Sequence, residues 1–196
     1  MNEKMLNMLG ATNRDGKDRE AHDFYATDPV GIDRLLKVFD IPKKIYECAC
    51  GRGDLSERLI ASGRTVISSD LYDRGYDKGE VGVDFLSISA PPRGFSILTN
   101  PPFSKALEFV EKALDIVEDG NYVIMLLRLN FLEGKKRKAE LWDKAPPKLV
   151  VVNSERLLCA KNADFEGMKA SGGSVVAYAW YIWEKGYTGD TVVKWC

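Results

Sequence analysis

The chain has 196 residues, 45% of them hydrophobic and 10% aromatic, with a formal net charge of −1. That is enough apolar material for one domain with a sizeable core, and the near-zero charge excludes a globally basic protein, so a polyanionic partner would have to meet a local basic face. Cys48, Cys50, Cys159 and Cys196 form no metal-ligand spacing, no apolar run reaches the roughly 18 residues of a membrane span, and His22 is the sole histidine, which sets aside a zinc site, a transmembrane segment and histidine-based chemistry and predicts reduced thiols in a cytoplasmic protein.

Residues 1–20 are polar and weakly patterned, which predicts a flexible N-terminal arm ahead of a single domain over 21–196. Pro29 opens a helix over 30–39, with Ile32, Leu35, Leu36 and Phe39 on one stripe, and Ile41-Pro42 closes it. A strand over 44–50 runs into a glycine turn and a helix over 55–61, with Asp54 as N-cap and Gly63 as terminator. Strands follow at 65–69, 82–85 and 95–99, then a helix over 104–117 with apolar spacing at Leu107, Val110, Ala113, Leu114 and Val117. The uninterrupted apolar run 122–127 predicts a strand buried on both faces. A helix over 135–142, a strand over 148–152, a loop over 153–173 and a long strand over 174–183 complete the chain. Seven strands alternating with helices predict an α/β fold: a seven-stranded, mostly parallel sheet with helices on both faces.

Five segments carry the chemistry. In Tyr46-Glu47-Cys48-Ala49-Cys50-Gly51-Arg52-Gly53-Asp54, a strand enters a turn whose two glycines let the backbone approach a ligand. A dinucleotide fingerprint wants a third glycine where Ser56 stands, and Asp54 at the helix start disfavours a pyrophosphate. Glu47 and Asp54 suit a cationic cofactor without phosphate, and S-adenosylmethionine, with its sulfonium and amino group, is such a molecule. Asp70 closes the next strand, where an acid can accept both ribose hydroxyls, with Leu71 or Tyr72 flanking an adenine ring; a solvated loop aspartate is the alternative. Asp84-Phe85 can accept from the adenine amino group and pack on the base, or be a turn residue beside a core phenylalanine.

The fourth segment, Thr99-Asn100-Pro101-Pro102-Phe103, lies between a strand and a helix, and its prolines predict a stiff loop at the carboxyl edge of the sheet. An aromatic amino group or an amide is a poor nucleophile because its lone pair is conjugated. Asn100 Oδ1 and the Pro101 carbonyl can each accept one of its N–H bonds, orienting the nitrogen and favouring a pyramidal geometry, while Pro102 stiffens the loop and Phe103 offers a stacking surface. The fifth segment, His22-Asp23-Phe24-Tyr25-Ala26-Thr27-Asp28-Pro29, can close over the methionine end of the cofactor or simply cap the following helix.

These segments together resemble the N6-adenine DNA methyltransferases, in particular the compact phage type. Asn-Pro-Pro-Phe is similar to that family's catalytic motif, Glu-x-Cys/Ala-x-Gly-x-Gly to its cofactor motif, and Tyr25-Ala26-Thr27-Asp28-Pro29 to its amino-terminal element with Asp28 added, in an order like the γ arrangement. Residues 126–132 and 177–189 are also similar to the phage type, so the resemblance spans residues 22–190. It implies a Rossmann-like class I methyltransferase fold and S-adenosylmethionine as cofactor, bound by Tyr25, Thr27, Glu47, Ala49, Gly51, Gly53, Asp70, Leu71, Asp84, Phe85 and Asn100. Asn100, Pro101, Pro102 and Phe103 would act on the target amine, with DNA as substrate and no metal or membrane involved. The family's larger members carry a separate target-recognition domain that this pattern lacks. DNA would then be gripped by the 153–173 loop, including Lys161 and Lys169, and by Lys135-Lys136-Arg137-Lys138, a run that otherwise reads as a solvated helix face. Alternatives are a protein glutamine amide or an RNA adenine as acceptor, because both present a planar –NH2, or a cofactor-binding module without catalysis.

Overall fold

The computed structural model describes residues 24–160, 163–170 and 173–196. The expected N-terminal arm, His22, Asp23 and Lys161 lie outside them. An eight-stranded sheet forms the centre, built from β2 (Lys44–Glu47), β3 (Thr65–Asp70), β4 (Glu80–Val81), β5 (Ser96–Thr99), β6 (Tyr122–Arg128), β7 (Leu149–Val152), β9 (Tyr178–Glu184) and β10 (Val192–Trp195). Their order across the sheet is β10-β7-β9-β6-β5-β2-β3-β4. Every neighbouring pair is parallel except those of β9, which runs antiparallel to both β6 and β7. β1 (Ala26–Thr27) and β8 (Cys159–Ala160) form a separate antiparallel ribbon.

The period of two along the central strands sorts the core into two layers. Val123, Met125 and Leu127 of β6 with Tyr181 and Trp183 of β9 face helix α3 (Ala106–Ile116), which contributes Phe109, Val110 and Ala113. Ile124 and Leu126 with Trp180 and Ile182 face α1 (Val30–Leu36) and α2 (Asp54–Ala61), which contribute Ile32, Leu35, Leu55 and Leu59. Both faces of the sheet are thus covered, as the uninterrupted apolar run in β6 requires.

Several expected boundaries shift for local reasons. The third strand pairs at Glu80–Val81 rather than over 82–85, because Asp84 bends the chain: its carboxylate accepts Leu86 N–H at 3.0 Å and the Ser87 hydroxyl at 2.6 Å. Asp54 is the first residue of α2, whose N-cap is Gly53 in the left-handed region, rather than its cap. The helix expected over 135–142 divides into α4 (Lys135–Arg137) and a π-turn at Lys138–Trp142. The loop over 153–173 contains β8 and α5 (Phe165–Ala170), and β10 adds an eighth strand to the seven expected. Among the described residues no helix is long and apolar enough to cross a membrane, and no group of three or more His, Cys, Asp or Glu side chains is placed to hold a metal.

Candidate active site

Strand order reverses direction between β2 and β5: β3 and β4 lie outward of one, β6 of the other. Such a switch point opens a crevice beyond the carboxyl ends of the strands, and a cavity of about 530 Å³ lies there. Its lining includes Tyr25, Thr27, Glu47, Ala49, Gly51, Asp70, Leu71, Asp84, Phe85, Asn100, Pro101, Pro102 and Phe103. Thirteen of the fourteen site residues expected from the sequence thereby converge on one place. Gly53 does not line the cavity; its φ of 81° and the Tyr76 ring, 2.3 Å from where a Cβ would stand, account for the glycine there. At Gly51, by contrast, φ is 55° and a Cβ would stand 2.4 Å from the Phe24 ring, which also lines the cavity.

One wall is built from acids. Glu47 ends β2 and is 1% exposed, and its carboxylate accepts a hydrogen bond from Ser56, whose hydroxyl also meets Ser68 at 2.6 Å. Burial pushes the Glu47 carboxyl up to about 8 against the lowering effect of Ser56, with Asp54 and Asp70 adding to the rise. Burial also raises Asp54. Ser56, which stands in place of the third dinucleotide glycine, is therefore a working part of this wall. Asp70 accepts Gly51 N–H at 2.8 Å on one oxygen and Tyr72 N–H at 2.9 Å on the other, so it ties the glycine loop to the adjacent strand. Asp84 is held in its own turn, and Phe85 is a core residue packed on Phe109 at 5.0 Å that still reaches the cavity.

The opposite wall carries Asn100. The ribbon of β1 and β8 sets Thr27 beside it, and Asn100 Nδ2 donates to Thr27 Oγ1 at 2.8 Å and to the Tyr25 carbonyl at 3.3 Å. Asn100 Oδ1 is buried and has no hydrogen-bond partner among the described residues. The Pro102 carbonyl accepts Lys105 N–H at 2.9 Å and starts the turn Phe103–Lys105. Phe103 is not a bare platform: its ring packs against Tyr25 at 5.9 Å and Tyr178 at 5.5 Å, each inclined by 28°, and Arg128 lies over it. Phe24 and β1 fall in the fifth segment, and Arg128 and Tyr178 in the two segments similar to the phage type, but sequence alone assigns Phe24, Arg128 and Tyr178 no role there; β8 and Arg74 have no motif to announce them, and only the fold brings these groups to the cavity or to Phe103.

The basic run is largely committed within the chain. Arg137 donates to the carbonyls of Asn130, Phe131 and Glu133, Lys136 pairs with Glu140 at 3.6 Å and Lys138 with Asp143 at 2.6 Å. Lys169 pairs with Glu166 at 2.8 Å and borders a shallow depression with Arg34 and Arg156. The expected grip on phosphates by the 135–138 run therefore loses its arginine, whose planar fork is spent on backbone carbonyls.

The architecture has known counterparts. The methyltransferase subunit of a type I restriction-modification system from Streptococcus thermophilus superposes with a TM-score of 0.60 at 16% identity, covering 98% of this chain and 50% of that one. A protein of Listeria monocytogenes assigned to the class I S-adenosylmethionine-dependent methyltransferases gives a TM-score of 0.56 at 13% identity, covering 98% of this chain and 70% of that one. The fold is that of the class I methyltransferases. Within the methyltransferase fold, the cavity occupies the switch point and Asn100 its carboxyl edge. No known family model matches the chain. In sequence, an RxLR effector protein of Phytophthora infestans (strain T30-4) is 30% identical over 97 residues, which is 47% of this chain and 35% of that protein. The chain thus spans about a third of that relative and half of the restriction-modification subunit.

Proposed function

We propose that the protein transfers a methyl group from S-adenosylmethionine to N6 of adenine in DNA. The observation that carries this reading is the state of Asn100. Its amide nitrogen is fully occupied by Thr27 and Tyr25, which fixes the side-chain orientation and leaves a buried oxygen without a partner among the described residues, on a residue that lines the cavity. A buried acceptor without a donor costs about 1–3 kcal/mol, and an incoming –NH2 group supplies the missing hydrogen. The Asn100 carbonyl and that of Pro101 then hold the two N–H bonds of the acceptor nitrogen, aim its lone pair, and stabilise the positive charge that develops on it.

The cavity also fits the cofactor. Its acids match a molecule with a sulfonium and an ammonium group, and its volume of about 530 Å³ falls in the range of sites for ligands of this size. S-Adenosylmethionine, when bound, supplies an electrophilic methyl group. Asp54 complements its positive charge, and a cation beside Glu47 would favour the ionised form that burial opposes; Asp70 retains lone pairs for ribose hydroxyls, and Phe85 with Leu71 offers apolar surface to an adenine ring. The phage-type motif order and the restriction-modification counterpart favour DNA over the other planar –NH2 acceptors.

Incubation with labelled cofactor and unmethylated plasmid, total RNA or total protein in parallel tests the reading. Label is expected in DNA, released by nuclease digestion as N6-methyladenine nucleoside; label in protein or RNA alone overturns the assignment of substrate. In the same assay Asn100→Ala lowers kcat at least about 100-fold, while calorimetric titration finds cofactor affinity nearly unchanged. Wild-type turnover in that variant would remove Asn100 from the chemistry.

A further inference from the structure

Arg128 ends β6, the strand beside the one that leads into Asn100. Its guanidinium carbon lies 4.8 Å from the centre of the Phe103 ring, and Tyr178, its cross-strand partner in β9, stacks on the same ring. Arg128 Nε is buried and has no hydrogen-bond partner among the described residues. The charge is felt at the Cys159 thiol and the Tyr178 hydroxyl, each of which it lowers against burial. Among the described residues, the groups placed around this cation are an aromatic ring, a phenol and a thiol, none of them anionic. Asp28, the acid felt at Cys159, is engaged by Val30 N–H at 3.0 Å.

Lys105 and Arg74, which line the cavity itself, are otherwise engaged. Lys105 pairs with Glu108 at 3.7 Å, and Arg74 rests on the Phe24 and Tyr72 rings at 4.7 and 5.4 Å. Arg128 is half-buried, with its Nε out of solvent. A contact between a cation and an aromatic face contributes roughly 0.5–2 kcal/mol but leaves that N–H donor unmet, and a guanidinium fork is shaped to receive two oxygens of one anion.

We propose that Arg128 is a specificity-determining residue of the same site, whose guanidinium takes the phosphate next to the nucleoside presented to Asn100. The inference rests on the methylation reading above and sharpens it, because a glutamine amide in a polypeptide brings no anion to that place. Arg128 packs on Phe103, which shares the Asn100–Phe103 loop, so a phosphate held there is also registered against Asn100. Phosphate contact and base placement become one event.

The methylated adenine is first mapped on unmodified plasmid. Short duplexes around it are then made with each phosphate flanking that adenine replaced, one at a time, by an uncharged methylphosphonate. Wild-type protein, Arg128→Gln and Arg128→Lys are compared by kcat and KM, with cofactor affinity and thermal midpoint as controls. Loss of a charge-assisted hydrogen bond at one position should lower wild-type kcat/KM roughly 10- to 100-fold. Arg128→Gln should be uniformly slow and no longer distinguish that duplex from the unmodified one, and Arg128→Lys should discriminate to an intermediate degree. Should Arg128→Gln fail to fold, Arg128→Lys carries the test, since it keeps the charge and loses the fork. A variant that is slow yet still discriminates like wild type overturns the phosphate role and leaves Arg128 as packing for Phe103. An absence of methylated adenine in DNA overturns the parent reading instead, and the phosphate role with it.

Discussion

The two walls of the cavity are finished to different degrees. On the glycine-loop wall the carboxylates meet donors within the chain: Glu47 has Ser56, Asp70 has the N–H groups of Gly51 and Tyr72, and Asp84 has Leu86 N–H and the Ser87 hydroxyl. On the Asn100 wall, Asn100 Oδ1 is buried without a partner among the described residues, as is Nε of Arg128, which lies over the Phe103 ring outside the lining. A closed network holds its shape with or without a ligand and recognises through spare lone pairs. Open valences cost stability until a ligand fills them. On the proposed function, the difference separates a wall that is organised in advance for the cofactor from one that is completed by the acceptor.

Substitutions can break or sharpen that contrast. The largest effect on stability is expected at Glu47. Its folded carboxyl lies near 8 rather than 4.5, so the unfolded chain binds fewer protons between those values. Stability is therefore fully present below about 4.5 and is lost as pH rises towards 8, at roughly 1.4 kcal/mol per unit. Glu47→Gln keeps an acceptor for Ser56 and has no carboxyl to protonate, so denaturant titrations from pH 5 to 8 should show the variant gaining on the parent as pH increases. Parallel pH profiles for the two proteins would mean that Glu47 is ionised and paired in the folded state.

Asp70→Ala comes next. It leaves Gly51 N–H and Tyr72 N–H without their acceptor and should lower unfolding free energy by about 1–3 kcal/mol, with cofactor affinity falling in step. Weaker cofactor binding at unchanged stability would show that Asp70 serves the ligand alone. Thr27→Val is the smallest change: it preserves volume and removes the acceptor that orients Asn100 Nδ2. Steady-state kinetics should find kcat lower by about tenfold, or 1.4 kcal/mol, with the cofactor dissociation constant nearly constant. Unaltered kcat would mean that the Tyr25 carbonyl suffices to hold Asn100.

Much of this arrangement is legible in the amino-acid order. The run at β6 announces a doubly covered strand, and the prolines after Asn100 announce a stiff loop, because both effects are local. Tyr25, Thr27, Glu47 and Asp70 are legible as site residues only through their place before or after a recognisable element. What escapes is cooperative. β1 and β8 have two residues each, too few for a period, and each exists only because the other stands opposite. Gly53 looks like a ligand glycine until Tyr76 is seen to occupy the space above it. β10 has all four side chains exposed, so its sequence carries no buried alternation. Arg128 is one cation at a strand end, and nothing next to it in the chain says that Phe103 lies beneath it.

The reversed strand has a consequence for the order in which the molecule is assembled. Among the described residues β7 meets β6 and the strands beyond it only through β9, and β9 follows both β6 and β7 in chain order. The parallel core from β2 to β6 can pair as it emerges, and with it the acid wall, whose residues all precede Asn100 in the chain. The Asn100 wall must wait for Tyr178 to arrive and pack on Phe103, and for Cys159 to pair with Thr27. During synthesis the protein would thus acquire the shape of a cofactor pocket well before it acquires a place for the acceptor, and late insertion of one strand between β6 and β7 converts the one into the other.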